Sequence, residues 1–461
     1  MPTAKRAARR ASLAKTLALR NIEARHAAGK ALRAKVPRQS HAILPAQRKG
    51  RDVVAMLEAS NKGRVPELIP IRYGRMLHSP FAFLRGSASV MAFDLAKTPV
   101  SGIRVQVCGD AHLMNFGGFA TPERHLVFDV NDFDETLMAA WEWDLKRLVA
   151  SITVAGRHLG FSRTRNAEAT MAAVAAYRGH MALYAPMHAL ELWYQRIDAT
   201  QVAELHFATR NKDAAEAPPD PGTEHLFPKL TEAVGTMRKI REELPLIFRA
   251  RKGDETITNI KSLFADYRVT LPADRRALLN RFELVDAVIK VVGIGSVGTR
   301  CAVALLMGGD EDSLFLQFKE ARASVLEPYS GRSPYTNHGE RVVEGQRLMQ
   351  AASDMFLGWS RAQSQGVDFY VRQLRDCKTA ANIDTMDFSH LLDYAHHCGA
   401  ALARAHAKAG DAAAISGYAG KGAALDTALA RFAAAYADQT EEDFAALHAA
   451  ADSGRIVAED V

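Results

Sequence analysis

The segment CGDAHLMNFGG, residues 108–118, follows a short alternating strand pattern and precedes a second strand pattern that ends in acids, LVFDVNDFDE at residues 126–135. Asp110 and Asn115 stand five positions apart, the D-x-x-x-x-N spacing of a phosphotransferase catalytic loop. In such a loop the Asp accepts the proton of the attacking hydroxyl and the Asn gives a neutral oxygen to Mg²⁺. The spacing therefore predicts Asp110 as a base and Asn115 as a metal ligand.

The second strand pattern supplies the carboxylate that such a metal site still needs. Asp132, in Asn-Asp-Phe-Asp, is the first candidate, and Asp129 and Asp134 are its rivals. Three acids within six residues repel one another, which favours a cation site over simple packing. A solvated acidic turn is the other interpretation. Because Mg²⁺ prefers oxygen ligands and takes few from the protein, we expect one of the three to bind it.

A glycine-rich segment, GIGSVG, contains Gly293, Gly295 and Gly298. In a dinucleotide-binding βαβ unit a helix must begin directly after such glycines. The residues that follow, TRCAVALL at 299–306, are β-branched and apolar and predict a strand instead. A glycine turn between two antiparallel strands is how protein kinases cover the phosphates of ATP with backbone N–H groups. The segment therefore predicts a nucleotide-covering hairpin.

A third strand pattern, LFLQFK, ends at Lys319. A kinase-like fold needs a lysine at this place to hold the α- and β-phosphates, and a glutamate on the next helix to orient that lysine. The amphipathic pattern at residues 337–359 offers Glu344 or Glu340 for this pairing. A surface lysine after a glycine hairpin is the alternative interpretation.

Mixed Asp and His residues also suit a metal-dependent hydrolase, with His112, Asp110, Asp132 and His406 as ligands. The segment lacks HxH, HxxxH and HExxH motifs. We therefore expect His112 to fix the shape of its loop through hydrogen bonds.

Two further charged motifs have open interpretations. In WDLKRL, residues 143–148, Asp144 or Arg147 either lies on a charged helix surface or bonds back to the catalytic loop. The motif RQLRDCK, residues 372–378, is either a kinase-like hinge or an edge strand with exposed charges.

The charge of the chain is unevenly distributed. Of the 461 residues, the first 51 hold 14 Lys or Arg and one acid, a balance of +13, whereas the rest hold 45 bases and 51 acids, a balance of −6. This basic arm is either a packing helix or a contact for nucleic acid or an acidic surface. No apolar run is long enough for a membrane span. Four scattered cysteines without a CxxC pair predict a reducing, cytoplasmic location.

Several of these motifs together resemble the DUF2252 family of bacterial proteins: GDAHLMNFG, VFDVNDFDET, WEWDLKRL, VVGIGSVGTR, FLQFKEA, GERVVEGQR and ALARAHAKAGD. The resemblance runs over about residues 60–445 and implies a protein-kinase-like fold without naming a substrate. The H-G-D-x-x-x-x-N loop of the aminoglycoside phosphotransferases is more distantly similar to Gly109, Asp110 and Asn115. Here Cys108 stands where those enzymes have the histidine.

The order of the motifs differs from that of kinases, because the catalytic-loop segment precedes the glycine-rich segment. This order predicts a circularly permuted, two-lobed α+β fold, which surface termini that lie close together make possible. The expected regions are a basic arm at 1–60, a catalytic-loop and helical lobe at 61–285, a nucleotide-cradling β-rich lobe at 286–380 and C-terminal helices at 381–461.

The sequence thus predicts an ATP- and Mg²⁺-dependent phosphotransferase that acts on an unknown small-molecule or protein acceptor. The alternatives are a nucleotide-binding regulatory module without transfer activity, a nucleotidyltransferase that binds ATP in a reversed pose, and the metal-dependent hydrolase.

Overall fold

The fold is mixed α+β. The computed structural model describes residues 21–46, 50–199, 202, 229–234, 237–249, 260–309, 312–374 and 381–460. Within these ranges no helix combines the length and the apolar character that crossing a membrane requires.

Fifteen α-helices occur in the described ranges. They are α1 Ile22–Ala31, α2 Val53–Ser60, α3 Ile69–Leu77, α4 Pro80–Gly86, α5 Ala88–Leu95, α6 Trp141–His158, α7 Arg163–Tyr184, α8 Ala189–Trp193, α9 Ile260–Val269, α10 Ala273–Leu279, α11 Glu327–Ser330, α12 His338–Met349, α13 Phe388–Ala409, α14 Ala412–Ala419 and α15 Ala424–Asp452. The strands are β1 Arg104–Val107, β2 Phe116–Ala120, β3 Leu126–Val130, β4 Leu137–Ala140, β5 Thr231–Val234, β6 Met237–Ile240, β7 Ile247–Phe248, β8 Glu283–Lys290, β9 Cys301–Met307, β10 Ser313–Ala321, β11 Gly358–Ala362 and β12 Val367–Gln373.

The largest sheet is antiparallel, with six strands in the order β11-β12-β10-β9-β8-β7. Strand β9 is apolar, and β9 and β10 are both buried along almost their whole length because α9 and α12 pack against the sheet. The three strands expected from residues 287–321 are confirmed as β8, β9 and β10. A strand and not a long helix follows Gly298, so the dinucleotide-binding alternative is wrong.

The sheet extends further toward the N-terminus than the expected lobe boundary at residue 286. Strand β8 begins at Glu283, and β7 pairs with it through Ile247 and Phe248. The described residues between 229 and 282 contribute the short strands β5, β6 and β7 besides α9 and α10.

Two small hairpins carry the polar loops of the other half. Strand β1 pairs with β4 and β2 pairs with β3, both antiparallel. The catalytic-loop segment therefore joins β1 to β2, and the acidic segment 131–136 joins β3 to β4. A hydrogen bond of 2.8 Å from the Asn131 N–H to the Asn115 carbonyl ties the two loops together.

Helices α6, α7, α13 and α15 form the helical body beneath these loops. Helix α6 is buried over almost its full length. Small residues let the neighbouring helices α7 and α13 approach each other closely. A Cβ at Gly399 of α13 would lie 2.1 Å from the Ala173 carbonyl oxygen of α7, so only glycine fits there. The core of this body continues through Val342 and Val343 of α12 to Tyr370 of the sheet.

Part of the basic arm packs on this body. Helix α1 lies against α14, and Arg33 and Arg38 donate hydrogen bonds of 2.9 and 2.8 Å to the carbonyls of Tyr418 and Ala419. The first twenty residues lie outside the described ranges, and the expected contact of the arm with an acidic partner remains a prediction.

Candidate functional site

The loop after β1 presents Asp110 with a fixed backbone. The side-chain amide of Asn115 donates a 2.6 Å hydrogen bond to the Asp110 carbonyl, which leaves its oxygen as the atom able to bind a cation. The φ angle of Gly109 is +86°, and a Cβ there would lie 2.3 Å from the Glu135 carbonyl. Glycine is therefore required where the catalytic-loop and acidic segments touch.

Both open candidates of WDLKRL bond to this loop. The Asp144 carboxylate accepts hydrogen bonds from the N–H groups of Cys108 and Gly109, at 2.8 and 2.9 Å. The Arg147 Nε donates to Asp110 Oδ1 at 2.8 Å. Helix α6 thus holds both the backbone and the carboxylate of the loop. Burial raises the pKa of Asp110, although the positive charge of Arg147 opposes the rise.

His406 lies behind the loop and not in a metal site. Its Nε2 is 3.1 Å from Asp144 Oδ2, and its Nδ1 is 2.9 Å from the Tyr177 hydroxyl. Both ring nitrogens of this fully buried residue are therefore engaged. His406 is therefore not placed to bind a metal, which the metal-dependent hydrolase alternative expected it to do.

The hydrogen bonds that His112 makes in its loop are those of its backbone, and its ring Nδ1 is buried without a hydrogen-bond partner among the described residues. The backbone N–H donates to the Asp110 carbonyl and its carbonyl accepts from the Asn115 N–H, both at 2.8 Å. The ring is buried, with Nε2 at 3.7 Å from Asp110 Oδ2. Burial, assisted by Arg147 and Arg85, lowers the pKa of His112 well below its usual value, so the ring is neutral.

The strand that carries Lys319 meets the acidic segment. Lys319 Nζ lies 2.5 Å from Asp134 Oδ2 and 3.8 Å from Asp132 Oδ2. The hydroxyl of Ser296, in the glycine-rich segment, lies 3.2 Å from the same Asp134 oxygen. Although burial favours a neutral lysine, the two carboxylates raise the pKa of Lys319 well above its usual value. Burial likewise opposes ionisation of Asp134, but Lys319 holds its pKa below the usual range.

Asp129, a predicted rival metal ligand, has a structural role instead. Its carboxylate is fully buried and accepts hydrogen bonds of 2.8 Å each from Arg404 Nη2, the Val130 N–H and the Ala351 N–H. The expected choice among three acids therefore narrows to Asp132 and Asp134.

The prediction that Lys319 pairs with a glutamate on α12 is wrong for the described contacts. Glu344 forms an ion pair of 2.9 Å with Arg347, and none of the described contacts joins Glu340 or Glu344 to Lys319. Helix α12 reaches the site through buried Arg341, which donates to the carbonyls of Thr136 and Asp134 at 2.6 and 2.7 Å. Sequence reasoning missed Arg341, although a charged residue on the apolar face of an amphipathic helix was a visible signal.

Arginines from the N-terminal region hold the glycine-rich segment. Arg64 donates to the Gly295 carbonyl at 3.0 Å, and Arg75 donates to the Val292 carbonyl at 2.8 Å. The φ angle of Gly298 is +85°, a left-handed conformation that favours glycine. A Cβ at Gly293 would touch nothing within 4 Å, so packing does not demand glycine there.

Two cavities meet at the loop of residues 108–115. The first, about 420 Å³, lies between the glycine-rich segment and the loop, and the second, about 430 Å³, opens toward Tyr329 of α11. Asp110, Asp132, Gly295 and Ser296 line both. The first cavity is also lined by Asn115 and by the cations Arg85, Lys290, Lys319 and Arg372.

No group of three or more His, Cys, Asp or Glu side chains that could hold a metal occurs among the described residues. The first cavity instead offers the carboxylate of Asp132 and the amide oxygen of Asn115. These are hard oxygen donors, and Mg²⁺ completes its coordination with water and phosphate oxygens. The donor set therefore fits Mg²⁺ bound together with a phosphate ligand.

The motif RQLRDCK, interpreted either as a hinge or as an edge strand, is described only in part. Its first two residues lie on β12, which pairs with β11 on one side and β10 on the other and is therefore not an edge strand. Tyr370 and Arg372 lie on β12, and Arg372 Nε donates to Gln317 Oε1 at 3.0 Å. Residues 375–380, with the rest of the motif, lie outside the described ranges.

Comparison with known proteins identifies a family but no activity. No curated protein and no solved structure matches the chain at a significant level. The family described as "Uncharacterized protein conserved in bacteria (DUF2252)" matches residues 64–450 and includes the catalytic loop, the acidic segment, the glycine-rich segment and Lys319. The chain therefore belongs to the DUF2252 family.

Proposed function

We propose that this protein is an ATP- and Mg²⁺-dependent phosphotransferase with a kinase-like site in circularly permuted order. The observation that carries the proposal is the approach of Lys319 Nζ to Asp132 and Asp134, at 3.8 and 2.5 Å. It supports the proposal because a lysine that would bind phosphate and a carboxylate that would bind the metal lie next to each other, as phosphoryl transfer requires.

The order of elements in the sheet supports the kinase-like part of this proposal. The glycine hairpin between β8 and β9 comes first, then Lys319 on β10, then α12, then the hairpin of β11 and β12. Kinases arrange their nucleotide-binding lobe in this sequence and continue into the catalytic loop. Here the catalytic loop is encoded earlier in the chain and meets the lobe in space.

The charges of the first cavity suit a triphosphate. Four cations line it, opposite the carboxylates of Asp110 and Asp132. Charge-assisted hydrogen bonds from lysine and arginine are the strong contacts that phosphate oxygens make with proteins. The carboxylates would repel a bare triphosphate, so a divalent cation is needed between them.

In the proposed reaction Asp110 accepts the proton of an acceptor hydroxyl while that oxygen forms a bond to the γ-phosphorus. The bond between the γ-phosphorus and the β,γ-bridging oxygen breaks, and ADP leaves with the electron pair. Arg147 keeps Asp110 oriented, and Lys319 holds the phosphates. Asn115 and Asp132 would hold Mg²⁺, which neutralises charge on the phosphate oxygens.

Thermal unfolding with ATP, other nucleotides, Mg²⁺ and their combinations tests the binding step. A ligand that binds only the folded state raises the midpoint by mass action, and we expect the largest rise with ATP and Mg²⁺ together. Consumption of ATP with candidate acceptors separates an enzyme from a regulatory module. Mass spectrometry of the product separates phosphoryl from nucleotidyl transfer. A protein that no nucleotide stabilises at millimolar concentration would contradict the proposal.

A further inference from the structure

Arg85 lies at the junction of the two cavities. It is the penultimate residue of α4 and lines both the 420 Å³ and the 430 Å³ cavity beside Asp110 and Asp132. Its backbone is held on both sides, and the following carbonyl, of Gly86, accepts a 2.9 Å hydrogen bond from Arg72 Nη2. The preceding carbonyl, of Leu84, accepts a 2.6 Å hydrogen bond from Arg147 Nη2, and Arg147 also holds Asp110.

The guanidinium of Arg85 has no counterion in the described part of the chain. Its Nε is buried without a hydrogen-bond partner, and no described carboxylate lies within 4.0 Å of it. Burial lowers the pKa of Arg85, and the carboxylates of Asp110 and Asp384 offset this only from a distance. Arg85 is half-buried, and even partial burial of a cation without a partner costs the folded state free energy.

The other arginines of the second cavity, Arg64, Arg72 and Arg322, differ because their guanidinium groups donate hydrogen bonds to backbone carbonyls. Arg64 and Arg72 donate to backbone carbonyls of Gly295 and Gly86, at 3.0 and 2.9 Å, and are therefore part of the scaffold. Arg85 is the arginine that is held in place while its donors remain unused. Its forked, planar donors match phosphate oxygens.

We infer that Arg85 binds the phosphoryl group that is transferred and stabilises the charge on it as it passes between the two cavities. This inference rests on the proposed function and adds a catalytic residue that neither the sequence motifs nor the family description identifies. Asp110, which takes the proton of the acceptor hydroxyl, lines the same junction. The γ-phosphoryl group would therefore meet Arg85 while its bond to ADP breaks and its bond to the acceptor oxygen forms.

The test measures the affinity of the native protein, Arg85→Gln and Arg85→Lys for two ligands, each with Mg²⁺. One ligand is ADP, and the other is the β,γ-imido analogue of ATP, which carries the γ-phosphate. For Arg85→Gln we expect the affinity for the analogue to fall on the order of 10- to 100-fold, the value of a charged hydrogen-bond pair, and the affinity for ADP to change less than about threefold. Arg85→Lys keeps the positive charge but loses the forked, planar donors. Its affinity for the analogue should therefore lie between those of the native protein and Arg85→Gln. Arg431→Gln, at an exposed position of α15, is the matched control.

Thermal unfolding without ligand gives a second readout. We expect Arg85→Gln to unfold at the same temperature as the native protein or higher, because no described partner is lost. A marked fall in this temperature would indicate a structural role and overturn the inference, as would equal losses of affinity for ADP and the analogue. If the native protein binds neither nucleotide, the proposed function itself fails.

Discussion

Lys319 Nζ lies 2.5 Å from Asp134 Oδ2, although 185 positions separate the two residues along the chain. The lysine projects from the sheet and the carboxylate from the loop between β3 and β4. This contact, shared with Asp132 at 3.8 Å, joins the six-stranded sheet to the acidic segment. A phosphate ligand would have to bind beside it or replace one of its members.

Replacing Lys319 separates its roles in stability and activity. Lys319→Met leaves Asp134 without its cation in a mostly buried position, so we expect a loss of about 3 kcal/mol in the free energy of unfolding. The additional change Asp134→Asn should recover much of this loss but restore no ATP-dependent activity. Denaturant unfolding and ATP consumption measure the two effects. Full activity in Lys319→Met would contradict the assignment of this lysine to phosphate binding.

Asp110→Asn tests the proposed base. The amide can still accept the hydrogen bond from Arg147 but cannot take up a proton, so we expect turnover to fall by roughly 10² to 10⁴. The rise of the unfolding temperature with ATP and Mg²⁺ should persist. Asp438→Asn, at an exposed site on α15, should leave turnover unchanged. Equal turnover in Asp110→Asn and native protein would remove Asp110 from the chemistry.

The sequence predicted the elements that local patterns encode. The β-branched and apolar residues at 299–306, with the glycines before them, predicted the hairpin, and the spacing of Asp110 and Asn115 predicted the loop. The sequence did not predict which side chains from distant segments pair with one another. Asp129 has the same residue type as Asp132, and only the fold shows that Arg404 faces it from α13. Arg85 belongs to no motif at all.

The contrast between Asp129 and Asp132 gives a matched pair of variants. Asp129→Asn leaves the fully buried Arg404 without a counterion, so we expect stability to fall by about 3–5 kcal/mol, with no change in the Mg²⁺ concentration that half-activates the folded protein. Asp132→Asn should cost little stability, because its side chain is 37% exposed, and should raise that concentration at least tenfold. If Asp129→Asn raised the Mg²⁺ requirement and Asp132→Asn lowered only stability, Asp129 and not Asp132 would be the metal ligand.

Asp144 is expected to act through the loop that it holds. Its two oxygens accept hydrogen bonds from the N–H groups of Cys108 and Gly109, and Oδ2 also lies 3.1 Å from His406 Nε2. An asparagine has only one oxygen, so Asp144→Asn leaves one of the two backbone N–H groups without an acceptor. We expect a loss of about 1–3 kcal/mol in unfolding free energy. The turnover rate should fall while the KM for ATP changes little, because the nucleotide-binding residues do not contact Asp144. A change confined to KM would contradict this positioning role.

Glu135 makes stability depend on pH in a defined window. Burial raises its pKa to about 7 from 4.5, although its carboxylate accepts a 2.7 Å hydrogen bond from the Val325 N–H. Between these two values the folded state binds more protons than the unfolded state, so the contribution of Glu135 to stability is lost as the pH rises.

Glu135→Gln keeps an acceptor for the Val325 N–H and removes the titration. We expect the variant to gain stability relative to the native protein from pH 4.5 to 7, by on the order of 1–3 kcal/mol, and the difference to stay constant above pH 8. Urea unfolding of both proteins at a series of pH values measures this difference. The difference, and not the native curve alone, is informative, because His41, with a pKa lowered to about 3 by burial, changes stability in the opposite direction over part of the same window. A difference that does not vary with pH would show that Glu135 is ionised throughout.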